Sequence, residues 1–195
     1  MLVKEGIYGY HPGMENERKP LLLHCCCGPC STASIERLRE LGYEPVLFFG
    51  NSNIHPQSEA ELRYGELEKV ARFFNLTIVR APWQHSQWRE AVAGHEMDRE
   101  TGGRCGICFA WNLSEAADQA RQLGIPYFTT TLTVSPHKDS PLIFSLGKTM
   151  DGFVPIDFKK KGGFQRSIQL SRQLRLYRQQ YCGCEFSLRD SVQQQ

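Results

Sequence analysis

No run of apolar residues in this chain approaches the roughly 18 needed to cross a bilayer, and the opening stretch MLVKEGIYGYHPGMENERKP lacks the continuous apolar core of a secretory signal. These two absences predict a soluble, cytoplasmic protein with no membrane partner. A complete phosphate-binding loop is also missing: LGKT, Leu146 to Thr149, has the right ending, but the first glycine of such a loop would fall on Leu142. Histidines at paired ligand spacing are missing too, so His85 and His95 read as scattered surface residues, and Trp83, Trp88 and Trp111 read as core rather than stacking platforms. There is no internal repeat, and no low-complexity tract beyond the terminal glutamines.

What the chain does have is cysteine, 8 in 195 residues, and enough apolar content, 41%, to bury one substantial core. In a cytoplasm thiols stay reduced, so these cysteines point to metal ligation or thiol catalysis ahead of the alternative, a secreted disulfide framework. Net charge is only +2, yet it is unevenly placed. Residues 1–150 carry 15 basic against 17 acidic side chains, and residues 151–195 carry 8 against 4. Any polyanion should therefore meet the C-terminal segment, although a solvated basic helix face would look the same.

Residues 1–20 show neither helical nor alternating periodicity and are expected to form an irregular arm. Residues 21–195 read as a single α/β domain with the basic segment 151–195 at its end. Leu21–Leu23 predicts a strand, CCCGPC a turn, and Ser31–Leu41 a helix closed by Gly42. Glu44–Phe49 is a second strand. A long helix follows, with a capping box at Ser58 and Glu61, an apolar stripe of Leu62, Leu67, Val70, Ala71 and Phe74, and closure at Asn75. Further along are a strand over Leu76–Trp83, a short helix at QWREAVAG, a Gly-rich loop TGGRCGICF and a helix over Trp111–Leu123. Strand-rich Ile125–Val134, a helix around Ile143–Met150, a short strand at FVPIDF, an amphipathic helix over Ser167–Tyr177 and a turn with a polar tail complete the pattern. Apolar strands alternating with helices imply a mostly parallel sheet covered on both faces, Rossmann-like, and such sheets bind ligands beyond the carboxyl ends of their strands. The cysteine turn after the first strand stands at that position.

Cys27 to Cys30 opens a helix, whose free N–H groups and dipole favour thiolate over thiol. A disulfide between adjacent cysteines would be strained, whereas a turn can aim two or three sulfurs at one metal ion. A thioredoxin-like pair, Cys27 with Cys30, explains that spacing and leaves the other cysteines idle. Cys105 and Cys108 form a CxxC, and Cys182 and Cys184 a CxC; brought together they make a four-cysteine set that suits either zinc or an iron–sulfur cluster. Zinc stapling the C-terminal segment of a non-catalytic RNA-binding module would use the same set. Cys25 fits best as a small buried side chain, with an extra ligand or a spare thiol as alternatives.

The series HCCCGPC, SNIHP, CGIC, TTTLTVSPH, DFKKKGGFQRS and LYRQQYCGCEFS, in order from Leu21 to Ser187, resembles the epoxyqueuosine reductases of the QueH family. The resemblance implies an oxidoreductase that reduces the epoxide of epoxyqueuosine at the tRNA wobble position, the final step of queuosine biosynthesis, without cobalamin. It implies a [4Fe-4S] cluster on Cys105, Cys108, Cys182 and Cys184, docking the C-terminal segment, and a mononuclear iron on Cys26, Cys27 and Cys30, with Cys25 at a variable position. It implies tRNA carrying epoxyqueuosine as partner, with Lys159, Lys160, Lys161 and Arg166 as candidate phosphate contacts, and an unidentified low-potential electron donor. Such a pair of centres suits the chemistry, because a cluster on four thiolates delivers electrons singly while an open metal site polarises the epoxide oxygen. The chain departs from the family at Asn51–Ser52–Asn53, where the family often has Asn-Pro-Asn.

Overall fold

The computed structural model describes residues 18–192. The proposed arm falls outside the described residues up to position 17, and the first strand, β1 (Lys19–His24), already takes in the arm's last two positions. β2 (Tyr43–Phe49), β3 (Ile78–Arg80) and β4 (Phe128–Thr130) complete a four-stranded sheet of order β3-β2-β1-β4, parallel throughout. Between the strands and after them run α1 (Gly28–Glu40), α2 (Gln57–Phe74), α3 (His85–Ala91), α4 (Gly103–Gln122), α5 (Ser140–Gly147), α6 (Gly163–Gln173) and α7 (Glu185–Val192).

The two-residue period of the strands divides the core into two faces. Leu21, Leu23, Leu47 and Phe49 pack with Ile35 and Leu38 of α1 and Leu67 and Val70 of α2. Leu22, Phe48 and Phe128 point the other way, onto Phe109, Leu113 and Ala116 of α4 and Ile143 of α5. Leu21, Leu22 and Leu23 are all fully buried, each contributing roughly 1.5–3 kcal/mol relative to exposure. The α/β reading with helices on both faces is thus the observed architecture, and β1, at the centre of the order, delivers the first cysteine turn beyond its carboxyl end.

Several expected boundaries shift, each for a local reason. α1 starts at Gly28 rather than Ser31, because Pro29 needs no N–H in a first helical turn; Cys30 is therefore helical. A Cβ on Gly28 would meet the Glu66 carbonyl oxygen at 2.8 Å, so this glycine lets α1 press onto α2. The capping box at Ser58 does not form: Pro56 precedes α2, and the Glu61 carboxylate turns outward to Arg80 at 2.5 Å. Leu62, expected on the apolar stripe, is 43% exposed, while Asn75 ends α2 in the left-handed conformation as expected. β3 is shorter than Leu76–Trp83, since Pro82 has no donor to extend the ladder. β4 gives way to a 3-10 turn over Thr131–Val134 because the Thr130 hydroxyl accepts from the Leu132 N–H and competes with strand pairing.

The stretch at FVPIDF keeps only a bridge from Phe153 to Phe128, as Pro155 cannot donate. α5 begins at Ser140, ahead of Ile143, where Asp139 caps the Leu142 N–H at 3.0 Å. α6 lies four residues upstream of the expected span, closed by Arg175 in the left-handed region. Two expected loops are helical. TGGRCGICF opens α4, and the supposed tail after Cys184 is α7.

Candidate metal centre

At the carboxyl end of β1 the chain continues the sheet pairing for one residue, Cys25 N–H to Phe48 O at 2.8 Å, and then turns away. That last paired residue sends its thiol inward, donating to Leu23 O at 3.2 Å inside the core, and burial pushes its pKa well up. Cys25 is a neutral, buried side chain. The next residue is captured from the other side: Cys26 N–H donates to Thr131 Oγ1 at 3.1 Å, and that hydroxyl lies 3.4 Å from Cys26 Sγ. Cys27 is the extended residue before α1, and Cys30 sits on the first turn. The result is three sulfurs, Cys26, Cys27 and Cys30, within 4.8 Å of one another, close enough to hold one ion.

Charge is unequally distributed among them. Hydrogen bonds from the Cys26 and Cys30 thiols pull the Cys27 pKa well below the usual thiol range, and those of Cys26 and Cys30 rise in return. Gln179 Nε2 donates to Cys27 Sγ at 3.2 Å, and the buried Arg63 guanidinium lies within electrostatic reach of Cys27 and Cys26. Beneath the triad His24 is fully buried, its Nδ1 2.8 Å from Thr130 Oγ1; burial lowers its pKa and keeps it neutral.

The second group comes from α4 and the turn before α7. Cys105 and Cys108 stand on the opening turns of α4, and Cys182 and Cys184 flank Gly183. Each of the four sulfurs has a polar hydrogen on it: Thr101 N–H to Cys105 at 3.3 Å, Asn112 Nδ2 to Cys108 at 3.6 Å, Lys138 Nζ to Cys182 at 2.9 Å and Ser187 N–H to Cys184 at 3.4 Å. Burial raises the pKa values of Cys105 and Cys108. Cys108 packs against the small cluster that holds Cys184, which brings the two clamps together, more loosely than the triad: among the described residues the four sulfurs do not gather within 4.8 Å. The CxC turn is held from behind. Arg63, 1% exposed, pairs with Glu59 at 2.7 Å and donates to the carbonyls of Cys182 and Tyr181 at 3.0 and 3.3 Å.

A third cluster is not visible in the sequence. His55, His85 and Glu185 place their donor atoms within 4.8 Å of one another. His85 is not a surface histidine: its side chain is 12% exposed, its Nδ1–H donates to Ser52 O at 2.8 Å, and its Nε2 lies 3.2 Å from Glu185 Oε2. The His55 and His85 rings stack at 29°, and Glu185 is also paired with Arg89. With Trp83 and Trp88 stacked on His85, the cluster fastens α7 to α3. Trp88 is fully buried, as expected of a core residue.

Of the candidate phosphate contacts, two are already engaged. Arg166 forms a bidentate pair with Glu36, both contacts at 2.8 Å, and Lys159 Nζ donates to Lys138 O at 2.9 Å. Lys160 and Lys161 are exposed on a 3-10 turn beside a groove also lined by Glu36, Phe144 and Pro155. Arg63 and Lys138 carry no signal in the sequence, and Thr131 and Gln179 stand inside the motifs TTTLTVSPH and LYRQQYCGCEFS without a visible role, because the roles of all four arise across separations of 119, 44, 105 and 152 residues.

A parallel α/β sheet with three cysteine sulfurs gathered beyond the carboxyl end of an inner strand, close enough to hold one ion, defines the class of protein: an α/β protein with a candidate sulfur metal site at the usual ligand position of its sheet. The sequence model of epoxyqueuosine reductase QueH matches residues 21–190, and the chain belongs to that family of oxidoreductases. Relatives named epoxyqueuosine reductase QueH include those of Haemophilus influenzae, 38% identical over 177 residues covering 88% of this chain and 72% of the relative, and Streptococcus pyogenes, 35% identical over 184 residues covering 89% and 72%. The Thermotoga maritima protein of the same name is 36% identical over 176 residues, 86% of this chain and 90% of its own.

Proposed function

We propose that this protein reduces the epoxide of epoxyqueuosine at the wobble position of tRNA to give queuosine, working in the cytoplasm with electrons from a low-potential donor. The observation that carries this reading is the pairing of two sulfur sets of different kinds. Three sulfurs within 4.8 Å suit a single iron. The Cys105, Cys108, Cys182 and Cys184 set faces itself as two clamps, each sulfur with its own hydrogen bond, and suits a [4Fe-4S] cluster, whose four ligands stand apart because each binds a different iron. When bound, the cluster supplies single electrons and the iron supplies Lewis acidity toward an epoxide oxygen. Opening the epoxide to the alkene consumes two electrons and two protons and releases the oxygen as water.

The protein's own groups prepare that step. Thr131 and Gln179 orient Cys26 and Cys27, and Arg63 favours the Cys27 thiolate from the buried side. The modified base must leave the anticodon stack, which costs less in a single-stranded loop than in a duplex. Lys160 and Lys161 are the cations free to hold flanking phosphates, with Lys159 and Arg166 available only by giving up the partners described above.

Iron, zinc and sulfide analysis of protein purified without oxygen tests the reading, followed by turnover of epoxyqueuosine tRNA. About four sulfides and four to five irons per chain, with a broad visible band, are expected. Cys26→Ala should keep the sulfide and lose turnover, whereas Cys108→Ala should lose the sulfide. A colourless protein holding one zinc would make the cysteines structural, and one whose activity needs only Cys27 and Cys30 would make it a thiol oxidoreductase.

A further inference from the structure

Lys138 occupies the segment between the 3-10 turn after β4 and α5, and its side chain runs inward between the two sulfur sets. Its ammonium donates to Cys182 Sγ at 2.9 Å and stands 5.5 Å from the centre of the Phe109 ring, in the helix that carries Cys108. Its backbone is tied at both ends, N–H to Ser135 O at 3.3 Å and carbonyl to Lys159 Nζ at 2.9 Å. Among the described residues no carboxylate pairs with it.

An ammonium drawn away from water needs a compensating charge, and here that charge is sulfur. The contact to Cys182 Sγ at 2.9 Å supplies that compensation once the sulfur ligates as a thiolate. The lysine charge also reaches Cys26, Cys105 and Cys108. Lys138 is thus one fixed cation shared by the triad and the four-cysteine set. Arg63, the other cation near the triad, reaches the second set through backbone carbonyls rather than through sulfur.

We propose that Lys138 sets the reduction potential of the centre held by Cys105, Cys108, Cys182 and Cys184, its positive charge favouring the reduced state on the side facing the Cys26 triad. Adding an electron adds one negative charge, and a cation with a hydrogen bond on a ligand sulfur stabilises that charge. Lys138 is a positioning residue here: it acts on the reaction through the ligands. The inference rests on the cluster reading above, and wild-type protein without sulfide would refute that reading before this one is reached.

The test is a potentiometric titration, followed by the spectrum of the reduced centre, on cluster-loaded wild type, Lys138→Arg, Lys138→Gln and Lys138→Met. Removal of the charge should lower the midpoint potential in both Gln and Met variants by at least the equivalent of tenfold in the one-electron equilibrium, about 59 mV, with Arg near wild type. Loss of the cluster in Gln and Met with retention in Arg would support the same charge requirement. Equal potentials in all four proteins would overturn the proposal. So would a Gln variant matching wild type while only Met differs, which would assign the effect to the hydrogen bond alone, and so would cluster loss in all three variants, which would assign it to packing.

Discussion

Gly183 stands between Cys182 and Cys184 with φ at 139°, a conformation that side chains rarely adopt, and a Cβ there would meet Arg63 Nη1 at 3.0 Å and Ile54 Cγ1 at 3.2 Å. Its carbonyl also accepts from His55 N–H at 2.8 Å, so the CxC turn is specified by backbone geometry as much as by sulfur. Gly183→Ala should destabilise the fold by roughly 1–3 kcal/mol and reduce bound iron; thermal denaturation and iron analysis on one preparation check both. Arg63→Met is expected to cost more, about 3–5 kcal/mol, because the half-buried Glu59 keeps only the Tyr177 hydroxyl as a donor and two carbonyls lose theirs. Urea denaturation measures it, and an unchanged midpoint would remove Arg63 from the support of the site. Gly183 is visible in the sequence only as the middle of a CxC, and Arg63, an arginine on a helix, has no pattern until a contact 119 residues away gives it one.

Among the elements, α4 differs most from its expected form and explains the most. The sequence suggests a Gly-rich loop for its first two turns, yet Gly103 to Gln122 is one helix, and only as a helix does it place Cys105 and Cys108 one turn apart on the face toward Cys182 and Cys184. Farther along it, Glu115 is partly buried, its Oε2 has no hydrogen-bond partner, and burial, with Asp118 adding, pushes its pKa up to about 7. The folded pKa lies above the unfolded value, so the native protein holds a proton that the unfolded chain releases from about pH 4.5 upward. Stability contributed by this group is therefore full below that pH, falls as pH rises to about 7, and stays low above it. Glu115→Gln should match wild type near pH 4 and exceed it by about 2 kcal/mol at pH 8, read from chemical denaturation at both pH values. An equal gain at the two pH values would refute the titration argument.

Over the whole molecule the charge divide at residue 150 has a folded counterpart, although a smaller one than the count implies. Arg166 is bound to Glu36 and Lys159 to a backbone carbonyl, which leaves Lys160 and Lys161 as the free cations of that run. tRNA affinity should fall with salt, and Lys160→Ala with Lys161→Ala should flatten the plot of log affinity against log salt by about 1.4, roughly 0.7 for each contact to a single-stranded phosphate. Arg166→Ala should change the slope less than either lysine. Filter binding across a salt series separates these outcomes, and an unchanged slope in the double variant would move the RNA elsewhere.

Local order alone determined that this is a parallel α/β protein, because apolar runs, their period and the glycines that stop helices act within a few residues. Cysteine spacing likewise marked the two clamps and the crowded turn after the first strand, while the choice of Cys26, Cys27 and Cys30 within that turn came from the family resemblance. Tertiary structure alone decided that Thr130 ends β4, that Glu185 and two histidines fasten α7, and that Lys138 stands between the sulfur sets. Those outcomes depend on partners far apart in the chain, and their chemistry exists only once the sheet has brought its carboxyl ends together.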